Sequence, residues 1–186
     1  MKFKIGKPDI NQKEVLLKAY YVYNNQIFKE EIIRAFVSKK NFKKENFADK
    51  MDFNWQKTKM DVASIYSDIV IFAALYNDEN QIEAFSRMRL IEEDGKIVLH
   101  IGEIIPFDNN YALVQELFNQ IMMAFQNKID SVSIEIPNDF LPMAEFISKN
   151  SFQKNGKYND QCTTEFTKIY SKDLTRNQEN GCNFSR

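Results

Sequence analysis

Asp94-Gly95 lies between two runs of alternating character, and this dipeptide constrains the fold more than any other feature of the chain. Glycine accepts positive φ at little steric cost, so Asp-Gly turns a strand back with the twist a hairpin needs. Upstream, Ile82-Glu83-Ala84-Phe85-Ser86-Arg87-Met88-Arg89-Leu90 alternates in part, as a strand with two different faces should. Downstream, Lys96 to Phe107 sets Ile97, Leu99, Ile101 and Glu103 on one expected face, with Val98, His100 and Gly102 on the other. A third run precedes both. Ile69-Val70-Ile71-Phe72-Ala73-Ala74-Leu75 has strand length and ends at the turn residues Asn77-Asp78-Glu79-Asn80. Three consecutive antiparallel strands, a meander, follow from this pattern.

The segments on either side have helical spacing. Residues 2–6 predict a short opening strand, and then Val15, Leu16, Ala19, Tyr20, Tyr23, Ile27 and Phe28 recur in steps of three and four. Asp9 or Asn11 can cap that helix, and Ile32, Ile33, Phe36 and Val37 extend it after an expected bend near Asn24-Asn25. Residues 39–61 are charged, with Phe42, Phe47, Phe53 and Trp55 as aromatic anchors, and read as a helical or irregular flap. Beyond the meander, Leu113, Leu117, Ile121 and Phe125 mark a strongly amphipathic helix over 111–126. Val132, Ile134 and Ile136 alternate in a strand ending at Pro137-Asn138-Asp139. Pro142, Met143, Phe146 and Ile147 suggest a second helix capped by Asp139, and Thr164 to Tyr170 a last strand. The expected organisation is one domain over 1–174 and a frayed tail over 175–186.

Composition excludes several classes. Among 186 residues, 25 Lys+Arg stand against 26 Asp+Glu, so no overall charge draws the chain to nucleic acid or to anionic lipid. Cys162 and Cys182 are the only cysteines and His100 the only histidine; neither a disulfide framework nor zinc-site spacing can be written from them. No metal is expected. Met1-Lys2-Phe3-Lys4-Ile5 lacks the apolar run of a signal peptide, and no apolar stretch has membrane-spanning length. The expectation is a cytoplasmic protein with neither a membrane nor a nucleic-acid partner.

An antiparallel meander followed by helix, strand, helix and strand, all after N-terminal helices, resembles the GNAT (N-acetyltransferase) superfamily, most clearly from Asp68 to Tyr170. The resemblance implies an α+β, GNAT-like α/β fold: a central mixed, mostly antiparallel sheet flanked by helices, with an N-terminal helical segment. In that family the fourth and fifth strands splay, an acyl-pantetheine arm enters the gap, and its diphosphate rests on amides opening the next helix. The family loop, an apolar residue or proline and then Gln/Arg-x-x-Gly-x-Gly/Ala, falls on Asn109-Asn110-Tyr111-Ala112-Leu113-Val114 after Ile104-Ile105-Pro106-Phe107-Asp108. Asn109 replaces the Arg/Gln, and Ala112 and Val114 replace the glycines. The family's Tyr-x-x-x-Gly-Phe corresponds to Ile147-Ser148-Lys149-Asn150-Ser151-Phe152, keeping only the Phe; Tyr158 lies near enough in sequence to stand in for the missing acid. A glycine-poor loop is similar to the acyl-homoserine-lactone-synthase branch. Tyr20-Tyr21-Val22-Tyr23 with Phe28-Lys29-Glu30-Glu31, Tyr66-Ser67-Asp68, Arg89-Leu90 and Glu103-Ile104-Ile105-Pro106-Phe107 resemble motifs of that branch.

What the resemblance implies is an N-acyltransferase that moves an acyl group from a CoA (acetyl-CoA) or acyl-carrier-protein thioester to a small-molecule amine. A carrier-protein partner and a homodimer are left open. Glu103, on a strand among isoleucines, is the first candidate base, because desolvation raises a carboxyl pKa toward a useful value; its alternative is a strand residue paired with an arginine. Tyr158 is the candidate acid. Ile104 and Ile105 would hold the pantetheine arm, and Asn109, Asn110, Tyr111, Ala112, Leu113 and Val114 the diphosphate. Arg87 and Arg89, two apart on one strand face, are candidate substrate anchors, with a solvated or Glu-paired face as the alternative. For His100 and Cys162, packing is the favoured reading over chemistry. The rival reading of the whole chain is a GNAT-shaped binding or regulatory module without donor binding.

Overall fold

The computed structural model describes residues 1–37, 45–137, 140–154 and 167–174, with side chains over these spans except at 27–37, 45–53 and 167. Seven strands form one sheet: β1 (Lys2–Ile5), β2 (Ile71–Tyr76), β3 (Ile82–Glu93), β4 (Lys96–Pro106), β5 (Ser131–Pro137), β6 (Gln153–Lys154) and β7 (Thr167–Asp173). Their order is β1-β2-β3-β4-β5-β7-β6, antiparallel throughout except for β4 beside β5. Helices α1 (Lys13–Val37) and α2 (Glu45–Ile65) come between β1 and β2. α3 (Ala112–Phe125) makes the crossover from β4 to β5, and α4 (Leu141–Lys149) follows β5. None of the described helices is long and apolar enough to cross a membrane.

The hairpin turns where its residues require. Asp94 and Gly95 take φ of 52° and 74°, and Glu93 pairs with Lys96 across them. The sheet separates two cores. On one face Leu99, Ile101, Val132, Ile134 and Ile136 meet α3 through Leu117 and Ile121 and α4 through Met143 and Phe146. On the other, Phe72, Phe85 and Ile105 meet α1 through Leu16 and Tyr20 and α2 through Val62 and Ile65.

The expected alternation along β4 breaks at one point. Met88 pairs with Ile101 but Arg87 with Glu103, so β4 carries an extra residue at Gly102. One inserted residue inverts every side chain beyond it. Glu103 therefore faces α1, on the opposite side of the sheet from Leu99 and Ile101. Arg87 lies across the bulge: a Cβ on Gly102 would sit 3.5 Å from its carbonyl oxygen and 3.8 Å from its Nε.

The helices differ from expectation in two ways. α1 runs unbroken through Asn24-Asn25; Asn24 is buried and its Nδ2 donates to Thr58 Oγ1 of α2 at 3.0 Å, so the polar pair joins two helices instead of bending one. The expected flap is, from Glu45 onward, part of α2, whose Thr58, Asp61, Val62 and Ile65 are buried. Asp9 caps the 3-10 turn before α1, its Oδ1 accepting from Asn11 N at 3.0 Å. Ile69, 76% exposed, precedes β2 instead of opening it. β7 continues to Asp173, three residues past the expected end. Phe42, Asp139, Tyr158, Cys162, Cys182, residues 164–166 and the tail over 175–186 lie outside the described residues.

The parallel pair positions the site. Ladder pairing of β4 with β5 runs from Val98↔Ser131 to Ile101↔Ile134 and stops. β4 continues through Gly102–Pro106, while β5 keeps its partner β7 all the way to Pro137↔Thr167. The two strands diverge from the bulge upward, leaving a wedge below the start of α3.

Candidate active site

Glu103 is buried at the foot of the wedge, held there by Arg87 and Tyr20. Arg87 grips it bidentately, Nε to Oε1 at 2.8 Å and Nη2 to Oε2 at 2.9 Å, and the Tyr20 hydroxyl donates to Oε1. The remaining Arg87 nitrogen donates to Ser64 Oγ at 2.7 Å and Asp61 Oδ1 at 3.2 Å, and Lys57 closes the chain on Asp61 Oδ2 at 2.6 Å. Three side chains from α2 and β4, Asp61, Ser64 and Glu103, thus bond the one guanidinium of β3, with Lys57 of α2 joined through Asp61 and Tyr20 of α1 through Glu103. Burial pushes the Glu103 carboxyl above its usual range, against the opposing pull of Arg87. Burial also pushes the Tyr20 phenol well up, with the Glu103 charge adding to it, so its proton stays on. An ionised carboxylate offers about four acceptor positions, of which three are filled here.

Two tyrosines and a phenylalanine fill the upper wedge. Tyr23 of α1 packs against both cores, which a side chain can do only where the sheet is open. Its ring meets Phe140, just after β5, edge-on at 6.1 Å, and Tyr111, just before α3, meets the same Phe140 at 6.0 Å. Gln26 latches the top, donating to Asn109 Oδ1 at 2.6 Å and accepting from the Tyr111 hydroxyl at 3.4 Å. Burial, then the charges of Glu103 and Glu135, hold the Tyr23 phenol well above its ordinary pKa.

The loop expected to cradle a diphosphate is folded on itself. Asn110 N donates to Phe107 O, Tyr111 N to Asn109 O, Leu113 N to Asn110 O and Val114 N to Tyr111 O, at 2.9–3.2 Å. Four of the five amides from 110 to 114 are therefore occupied within the turn. Leu113 and Val114 side chains are buried in the α3 core, and Ala112 alone of that trio is exposed. Asp108 and Asn109 both adopt left-handed backbone, φ 51° and 57°, to make the turn.

A polar strip runs below, on the face that carries Glu103. His100 Nδ1 lies 2.9 Å from Ser133 Oγ of β5, and Arg89 pairs across from His100. Burial, then Arg89 and Arg87, lower the His100 pKa to about 4, so the ring is neutral at pH 7. Arg87 and Arg89 do share a face, but Arg87 is committed to Glu103 and Asp61 while Arg89 is exposed. Among the described residues no cluster of three His, Cys, Asp or Glu could hold a metal ion. Tyr23, Asp61 and Ser64 were missed from sequence; the i, i+3 spacing of Tyr20 and Tyr23 on one helix face is the signal that could have found the first.

No family model and no curated protein sequence matches the chain. Solved structures do match. A PaiA N-acetyltransferase from Thermoplasma acidophilum, crystallised with coenzyme A, aligns with a TM-score of 0.57 at 13% identity over 94% of this chain and 100% of that one. An acetyltransferase of the GNAT family from Staphylococcus aureus aligns at 0.62 with 12% identity, over 93% and 99%. A probable acetyltransferase from Staphylococcus epidermidis aligns at 0.58 with 12% identity, over 94% and 100%. The chain has the GNAT fold. Within that fold the meander, the parallel β4–β5 pair and the α3 crossover occupy the places expected from their order in sequence.

Proposed function

We propose that the chain transfers an acyl group from a pantetheine thioester, acyl-CoA in the first instance, to an amine. The observation that carries this reading is the early end of the β4–β5 ladder at Ile101↔Ile134, directly beneath the start of α3. The backbone of Ile104 and Ile105 would receive the pantetheine arm as a sheet edge receives a strand. Holding thioester and amine together would supply much of the rate. Glu103 has one acceptor position left and would take the amine proton through a water; Arg87 and Tyr20 position it. Tyr23, Tyr111 and Phe140 would turn aside for the arm to enter. Tyr158 remains the candidate acid, and a carrier-protein thioester is the alternative donor, as in the homoserine-lactone-synthase branch.

Calorimetry with acetyl-CoA and longer acyl-CoAs tests the reading, with Ala112→Glu as the discriminating variant. An exposed carboxylate on the first turn of α3 suits the helix dipole, so Ala112→Glu should unfold no earlier than the wild type. The same charge repels a diphosphate. Saturable binding by the wild type and its loss in Ala112→Glu are expected. Absence of binding by every thioester would instead favour a GNAT-shaped binding module, for which the self-bonded loop amides and the ring-filled wedge speak.

A further inference from the structure

A trough of about 460 Å³ lies between α1 and the turn that follows β4. That is within the range of small-molecule sites, about 300–1,000 Å³. One α1 stripe, Val15, Ala19 and Val22, forms a wall, and Ile105 and Phe107 form the opposite one. Val15 and Val22 are 43% and 53% exposed, although apolar side chains of the same helix are buried one turn away. The trough ends at the Gln26–Asn109–Tyr111 latch.

Its charges are arranged for a ligand that carries both signs. Lys18 projects from the α1 wall and Asp108 from the turn, both exposed. Neither is joined to the other or to another ion partner among the described residues. A purely anionic ligand would meet the carboxylate and a purely cationic one the ammonium. An apolar zwitterion satisfies both and covers the valines. We propose that this trough binds a small apolar zwitterion, an amino acid with an aliphatic side chain or a dipeptide of such residues, with its carboxylate toward Lys18, its ammonium toward Asp108 and its side chain on Val15, Ala19 and Val22. The proposal is argued from the trough alone, although Ile105, Asn109 and Tyr111 also line the donor channel proposed above, so a thioester would compete for part of the same walls.

The test is calorimetry on the full chain without any thioester, using leucine and leucyl-leucine as probes. Saturable binding of one of them is expected, and which one binds reports the separation of the two charges. Leucine methyl ester, which lacks the carboxylate, and N-acetyl-leucine, which lacks the ammonium, should each bind at least about tenfold more weakly than leucine. Asp108→Asn tolerates the same left-handed backbone and should weaken leucine by a similar factor. Lys18→Glu should invert the preference, so that the methyl ester binds more tightly than leucine, a gain that misfolding cannot produce. Failure of both free probes to saturate the wild type overturns the proposal, as does equal binding of the blocked probes. Neither outcome bears on the transferase reading, which acyl-CoA binding decides separately.

Discussion

Arg87 carries more of the structure than any other single side chain of the site, because it neutralises Glu103 and Asp61 and ties α2 to the sheet. Removing one member of a buried pair leaves the other charged and unpartnered, at a cost of about 3–5 kcal/mol. Arg87→Leu should lose stability of that order in urea unfolding, while Arg87→Leu combined with Glu103→Leu should recover much of the loss. A double variant as unstable as the single would argue against the pair as the cause. His100 yields a pH prediction. Its folded pKa of about 4 lies below the ordinary value of 6.5, so between these pH values the unfolded chain binds the extra proton. Stability should fall as pH drops from about 6.5 toward 4, by roughly 3 kcal/mol in all. His100→Asn should remove most of that slope in pH-dependent denaturation. A matching slope in the variant would assign the effect to other groups.

At the scale of elements, the family pattern and the backbone meet at Ser151. This residue holds φ of 57° after α4, where Phe152 N bonds back to Ile147 O at 3.1 Å and Asn150 N to Phe146 O at 3.1 Å. The corresponding family position is a glycine, which takes that conformation without strain. Ser151→Gly should therefore raise stability by about 1 kcal/mol, read as a higher thermal midpoint; a lower midpoint would mean the serine hydroxyl contributes more than the backbone costs. Most elements were legible from pattern alone. Asp94-Gly95 marked the hairpin, and the four-residue spacing from Leu113 to Phe125 marked α3 within a residue of its end. The bulge at Gly102 was not legible, because a glycine in an alternating run signals neither the partner register nor the side of the extra residue. That single omission misplaced Glu103 by a whole sheet face. The residues forming the α1–α2 seam were likewise hidden, since Asn24 and Thr58 look polar until they face each other.

For the whole molecule, two cores share one sheet, and Tyr23 touches both. Trp55, the only tryptophan, sits on α2 and meets Tyr21 of α1 edge-on at 5.7 Å, so its fluorescence reports the helical layer while far-UV dichroism weights the entire fold. If the layers unfold as one cooperative unit, the two probes should give coincident denaturation curves. A fluorescence transition that runs ahead would separate α1 and α2 from the sheet. The chain's own residues determined the order of strands and helices, the turn that joins β3 to β4, and hence the GNAT architecture, because periodicity and turn chemistry act over a few neighbouring residues. Tertiary structure alone decided that Glu103 meets Arg87 and Tyr20, that three rings occupy the β4–β5 wedge, and that Lys18 and Asp108 face one trough. Those contacts join residues from 16 positions apart, as for Arg87 and Glu103, to 83, as for Tyr20 and Glu103, and beyond, and their energies depend on burial and register, which no local run of side chains encodes.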